Sequence, residues 1–220
     1  MRQNSQKGIC NVATGRGDVV GAELLRNPDV AKISFTGSVG VGKSIMRDGA
    51  ATMKRVTLKL GGKSPNILLD DADLDKAIPT ALGIAFLNSG QACAAGTRLL
   101  VPKGRLDAVK RAIVDAMPAF QVGDPADSKT AVGPMVTQKQ YERVQSQIRN
   151  GIEEGAEVLV GGEGHPRGLE EGHFVKPTVF VNVKIALFGF DLVFIDNASM
   201  KPRPIPPKRL SKSNPHASHL

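Results

Sequence analysis

The sequence predicts an α/β protein, and three observations carry that expectation. Short apolar runs alternate with segments of helical period from residue 32 to residue 160, the pattern of strands layered with helices. A glycine-rich stretch, Gly37-Ser38-Val39-Gly40-Val41-Gly42-Lys43-Ser44, lies between a predicted strand and a predicted helix. Past Val183 the periodicity is lost, and the chain closes on KPRPIPPKRLSKSNPHASHL with five of its fourteen prolines. Such a segment has too little apolar surface to offset the entropy of ordering, so residues 184–220 are expected to be a divergent, disordered tail.

Taken in order, strands are expected at 32–35, 56–60, 66–69, 98–101 and 158–160, because each is a short run rich in β-branched or aliphatic residues. Helices are expected from about residue 41 and over 74–87, 106–117 and 138–154. The last of these places Val144, Ile148 and Ile152 on one stripe, four residues apart. No internal repeat interrupts the alternation.

Bulk properties exclude several classes. At 220 residues and 41% hydrophobic, the chain can bury one good core or two small ones. No apolar stretch reaches the roughly 18 residues that span a bilayer, and MRQNSQKGIC has no apolar signal region. A cytoplasmic protein without membrane partners is therefore expected, and its cysteines, Cys10 and Cys93, should be thiols rather than a disulfide. The net charge of +8 raises nucleic acid, but residues 184–220 hold six basic residues against two acidic, which is half of the excess. With aromatics at 4%, stacking platforms are too sparse, and nucleic acid is not an expected partner.

The glycine stretch also satisfies the P-loop pattern, with Lys43 and Ser44 in the positions that reach phosphate and magnesium. Asn66-Ile67-Leu68-Leu69-Asp70-Asp71 could pass for the apolar strand that ends in a magnesium-binding aspartate. A P-loop NTPase is thus one reading of these residues. Opposing it is a long run of other motifs. Gly8-Ile9-Cys10-Asn11-Val12-Ala13-Thr14-Gly15-Arg16-Gly17 comes first, then Phe35-Thr36-Gly37-Ser38 with Gly42, then Leu60-Gly61-Gly62-Lys63-Ser64-Pro65-Asn66 and Asp70-Asp71-Ala72-Asp73-Leu74. Asn88-Ser89-Gly90-Gln91-Ala92-Cys93, Gly96-Thr97-Arg98, Val122-Gly123-Asp124-Pro125, Gly133-Pro134-Met135 and Lys176-Pro177-Thr178-Val179-Phe180 continue it in order.

Together these motifs resemble the NAD(P)-dependent aldehyde dehydrogenase family over residues 8–183. The resemblance implies a partial Rossmann-like dinucleotide-binding domain at 1–60, part of the catalytic domain at 61–183, and a chain truncated at both ends relative to the family. It implies NAD or NADP as cofactor and a small-molecule aldehyde as substrate. Gly37, Ser38, Val39, Gly40, Val41, Gly42 and Leu60 fall at cofactor-binding positions, with the pyrophosphate near a helix N-terminus where small residues permit close backbone approach. Cys93 falls at the nucleophile position, where a thiolate adds to the carbonyl and its own backbone N–H steadies the oxyanion.

One departure changes the expected chemistry. The family's general-base glutamate opens its Glu-Leu-Gly-Gly signature, and that position is Lys59 here. A carboxylate takes a proton from the attacking water; an ammonium with an ordinary pKa near ~10.4 does not. As a neighbouring cation, Lys59 would favour the thiolate while leaving the thioester without its base. The chain also has no tryptophan, so the family's Pro-Trp-Asn motif, source of the second oxyanion donor, has no counterpart. Its Glu-Ile-Phe-Gly-Pro motif is reduced to Phe188-Gly189, as a reading-frame shift would leave it, and the family's oligomerisation elements are not represented. The expected function is aldehyde oxidation by descent with impaired turnover; the rivals are a non-catalytic remnant of a decayed gene and the P-loop NTPase. No metal site is expected, because His165, His173, His216 and His219 lack partners at ligand spacing and read as solvated loop histidines.

Overall fold

The structure is a computed structural model that describes residues 8–183 and the backbone of 190–196. The chain divides into two compact units, residues 1–62 and 63–220.

In the first unit a helical turn at Gly17–Gly21 runs into α1 (Ala22–Arg26), followed by β1 (Lys32–Gly37), α2 (Val39–Gly49) and β2 (Arg55–Leu60). β1 and β2 pair in parallel, from Lys32 opposite Arg55 to Gly37 opposite Leu60. Parallel neighbours need a crossover, and α2 supplies it. Along both strands exposure alternates, so Ile33, Phe35, Val56, Leu58 and Leu60 share one face and Lys32, Ser34, Thr36, Arg55, Thr57 and Lys59 the other. Gly42 and Gly49 let the helix approach the apolar face. A Cβ on Gly42 would lie 2.7 Å from Leu60 Cδ2, and one on Gly49 would touch Leu25 and Val56 at 3.6 Å. The unit's core is thin, since Leu25 and Ile45 are its only buried large apolar side chains among the described residues. Lys54 closes it from one side, its Nζ donating to the carbonyls of Asn27 at 2.5 Å and Val30 at 2.7 Å.

The second unit contains β3 (Pro65–Ile67), α3 (Leu74–Phe86), β4 (Arg98–Pro102), α4 (Leu106–Ala116), α5 (Gln138–Glu153), β5 (Glu157–Val160), β6 (Thr178–Val181) and β7 (Phe190–Asp196). Its sheet has the order β3-β4-β7-β6-β5. β3 and β4 are parallel, and the remaining pairs are antiparallel. Val179 and Val181 of β6 join Ile78, Leu82 and Phe86 of α3 and Val109 and Ile113 of α4 in one core. Phe180, between them, joins Val144 and Ile148 of α5 with Met135 and Val175 in a second. Successive strand residues point to opposite faces, so α3 and α4 cover one side of the sheet and α5 the other. Burial of all four β6 residues follows from that sandwich.

Within the tail the sequence expectation needs correction at one segment. The sequence predicts disorder throughout 184–220, whereas Phe190–Asp196 forms β7 in the middle of the sheet. Phe-Asp-Leu-Val-Phe-Ile-Asp has five apolar residues of seven, four of them aromatic or β-branched, a composition that favours a strand. The remnant Phe188-Gly189 and residues 197–220, including His216 and His219, lie outside the described residues.

A glycine requirement fixes the turn between β5 and the loop that follows. Gly161 has φ +85°, and a Cβ there would lie 2.3 Å from the Pro177 carbonyl oxygen and 2.8 Å from the Thr178 Cα. Both are backbone atoms that cannot swing aside. Gly161→Ala is therefore expected to destabilise the second unit by about 3 kcal/mol or more, read as a lowered midpoint in urea unfolding followed by circular dichroism.

Candidate active site

Cys93 stands on the loop between α3 and β4, and that loop has an unusual backbone. Asn88 (φ 51°), Ser89 (φ 57°) and Gly90 (φ 76°) are left-handed in succession. For the two residues with side chains this costs on the order of 1–2 kcal/mol each, so other contacts must hold the turn. Ser89, 7% exposed, donates from Oγ to the Gly133 carbonyl at 3.0 Å. The Gln91 N–H and its side-chain amide both donate to the Asn88 carbonyl, at 3.1 and 3.3 Å. Lys63 reaches in from the segment before β3, its Nζ donating to the carbonyls of Gly90 at 3.1 Å and Ala92 at 3.3 Å. Ser64 N–H donates to the Ala95 carbonyl at 2.9 Å. Cys93 is exposed at the tip of this braced loop, and neither it nor Cys10 forms a disulfide.

Two motifs that the sequence leaves without roles are structural, and one of them is such a brace. Gly133-Pro134-Met135 presents its first carbonyl to Ser89 and buries Met135 in the second core. Asp124 of the Val-Gly-Asp-Pro motif closes its own turn by accepting from Ala126 N–H at 2.9 Å. Positioning by Lys63 and Ser89 is not legible in the sequence, since the partners lie 27, 29 and 44 residues away.

The glycine loop belongs to the first unit. Ser38 caps α2, its Oγ accepting from Val41 N–H at 3.3 Å while its carbonyl accepts from Gly42 N–H at 3.0 Å. This leaves the first amides of α2, those of Val39 and Gly40, at the helix start, where backbone N–H groups favour an anion. A Cβ on Gly40 would meet nothing nearer than Ser38 Oγ at 4.0 Å, so this side of the turn is open. The Ser38 hydroxyl keeps its proton available to a phosphate. These residues fit the pyrophosphate of a dinucleotide. Leu60 turns its side chain to Gly42. Lys59 is exposed on β2 opposite Thr36, near the C-terminal ends of both strands, the side on which open α/β sheets take their ligands.

The NTPase reading has no support in the topology. β1, which carries the glycine loop, is in the two-stranded sheet, while β3, which leads to Asp70 and Asp71, is in the other. The backbone of the aspartate run is committed locally. Arg105 Nη1 donates to the carbonyls of Leu69, Asp70 and Ala72 at 3.2, 2.8 and 2.8 Å, and Asp73 caps α3 by accepting from Asp75 N–H at 3.1 Å.

Histidine placement differs from expectation at His165. It is half-buried rather than solvated and stacks on Tyr141 with ring centroids 4.7 Å apart. Tyr141 lines a pocket with Gln145 and Arg149, also of α5, and Arg149 pairs with Glu163 of the loop after β5. Burial, reinforced by the Glu163 carboxylate, pushes the Tyr141 hydroxyl above its ordinary pKa, and the Arg149 guanidinium holds the Glu163 carboxyl below its own. Among the described residues no three His, Cys, Asp or Glu side chains gather as a metal site. No helix among them is long and apolar enough to cross a membrane.

Comparison with known proteins bears on the whole of this arrangement. The model of the aldehyde dehydrogenase family matches residues 3–187. A Staphylococcus aureus (strain MSSA476) protein assigned as an aldehyde dehydrogenase is 46% identical over 177 residues, 80% of this chain and 37% of that protein. The crystal structure of a Pseudomonas syringae aldehyde dehydrogenase C variant with NAD+ and octanal superposes with TM-score 0.74 at 44% identity, over 77% of this chain and 35% of that one. An NADP-dependent Escherichia coli enzyme superposes with TM-score 0.73 at 42% identity, over 79% of this chain and 36% of that one. The glycine loop and the Cys93 loop both lie inside the matched span, and the chain covers little more than a third of its relatives' length. This chain belongs to the aldehyde dehydrogenase family.

Proposed function

We propose that the chain retains the nucleophilic half of aldehyde oxidation and lacks efficient release of the product. The observation that carries this is the Cys93 loop, whose strained left-handed turn is held by Lys63, Ser89 and Gly133. A costly backbone braced by the Lys63 contacts and by the Ser89–Gly133 hydrogen bond presents the thiol in one geometry, as covalent catalysis requires. The Cys93 thiolate adds to the aldehyde carbonyl carbon, and the π electrons move to oxygen. The Cys93 N–H lies on the peptide next to that oxyanion and donates to it. NAD or NADP, held through Gly37, Ser38, Val39, Gly40, Val41 and Gly42, supplies the hydride acceptor when bound. With that acceptor bound, the oxidised product held on Cys93 would be a thioester.

Release requires water to attack that thioester, with a base to take its proton. Lys59, a side chain with no carboxylate to take that proton, stands at the family's base position. The reaction therefore stops at the acylated cysteine. Titrating purified chain with NAD+ and a medium-chain aldehyde tests this reading. Reduced cofactor is expected to rise to at most one equivalent per chain and then level. Continuous production at many equivalents would overturn it.

A further inference from the structure

We propose that Lys63 is a positioning residue for the oxyanion donor, acting through the peptide bond between Ala92 and Cys93. The carbonyl of Ala92 and the N–H of Cys93 belong to one planar peptide unit, and no cis peptide occurs among the described residues. In a trans peptide the two groups point in opposite directions. Whatever fixes the Ala92 oxygen therefore also aims the Cys93 N–H. Two donors fix that oxygen: Lys63 Nζ at 3.3 Å and the Ala95 N–H, also at 3.3 Å. Lys63 Nζ holds the Gly90 carbonyl as well, at 3.1 Å, so its position is set from a second point on the same loop.

Orientation is half of the effect. A cation on a carbonyl oxygen draws electron density through the amide and makes the N–H at its other end a stronger donor, the cooperativity seen along hydrogen-bonded chains. That N–H faces the place where negative charge develops when the Cys93 sulfur adds to a carbonyl. Lys63 would thus act on the transition state without touching the substrate. This inference rests on the proposed role of Cys93 as nucleophile.

The test compares two reactions of the same thiol in the wild type, Lys63→Met and Lys63→Arg. Acylation by p-nitrophenyl acetate passes through an oxyanion, as the thiolate adds to the ester carbonyl and p-nitrophenolate leaves. Alkylation by iodoacetamide is a displacement at carbon that forms none. Both rates are taken on the plateau of their pH profiles, where Cys93 is fully thiolate, so a changed thiol pKa drops out. Lys63→Met is expected to slow acylation roughly 10-fold, less than the loss of about 10²–10³ when a donor is removed outright. Alkylation should change less than about twofold, and Lys63→Arg should recover part of the acylation rate. Equal slowing of both reactions would mean that the loop has merely collapsed and would overturn the proposal, as would acylation unaffected by Lys63→Met. If wild-type Cys93 is alkylated but never acylated, the nucleophile reading fails and this inference falls with it.

Discussion

Lys59→Glu is expected to accelerate hydrolysis of the acylated cysteine by roughly 10²–10⁴-fold, the usual contribution of a positioned general base. The expectation rests on the family position, 34 residues before Cys93 in the sequence. The side chain is exposed on the polar face of β2, so an added carboxylate there meets no packing penalty. Its cross-strand neighbour Thr36 is uncharged. The strand also carries Arg55 opposite Lys32, a like-charge pair that disfavours pairing, and a negative residue on this face reduces the repulsion. Hydrolysis is measured by following loss of the acetyl mass from chain that has been acylated and freed of reagent. The first step should be slowed or unchanged in the same variant, as expected for removal of a cation from the family's general-base position. A Lys59→Gln control separates loss of the cation from gain of the base: acylation should respond as it does in the glutamate variant, and hydrolysis should stay slow.

Cys93→Ala is expected to abolish covalent capture of ester or aldehyde altogether, leaving Cys10 as the remaining thiol. Both cysteines are exposed, so accessibility alone does not distinguish them. Surroundings do. Cys93 follows a turn with three consecutive left-handed residues and two Lys63 hydrogen bonds, whereas Cys10 lies in an exposed stretch outside any helix or strand. Peptide mapping after brief exposure to p-nitrophenyl acetate should place the acetyl group on Cys93 in the wild type. Cys10→Ala should leave the rate as it was. Comparable labelling of the two cysteines would show that the loop confers no special reactivity.

Much of this molecule was legible in its sequence, for a physical reason: its elements are locally consistent. The expected helix at 138–154 is α5, and Val144 and Ile148 of its stripe are buried, although Ile152 at the frayed end is 44% exposed. The expected strands at 32–35, 56–60, 66–69, 98–101 and 158–160 correspond to β1 to β5 with small shifts at their ends. β7 is not legible because its apolar run sits inside a stretch whose overall composition suggests disorder. A strand in the middle of a sheet is decided by its partners, here β4 and β6, rather than by its flanks. Motif resemblance located Cys93 and the glycine loop without showing what holds them. The bracing of the cysteine loop consists of side chain to backbone contacts closed only by the fold. Nothing local in Gly-Gly-Lys-Ser-Pro says that Lys63 will meet the Gly90 and Ala92 carbonyls, and nothing in Gly-Pro-Met says that Gly133 will meet Ser89. His165 shows the opposite failure. A glycine-rich loop reads as solvated, yet the loop folds its ring onto Tyr141 of α5.

The proposed roles of Cys93 as nucleophile and of Lys59 as replacement of the base make a joint claim, and one time course addresses both. Intact mass of the wild-type chain is followed for hours after mixing with p-nitrophenyl acetate and rapid removal of the excess. The expected result is one added acetyl group per chain, located on Cys93 and persisting over the course of the experiment. Prompt return to the unmodified mass would contradict the claim that the thioester is stranded, and absence of any acetyl on Cys93 would contradict the claim that this chain keeps its nucleophile.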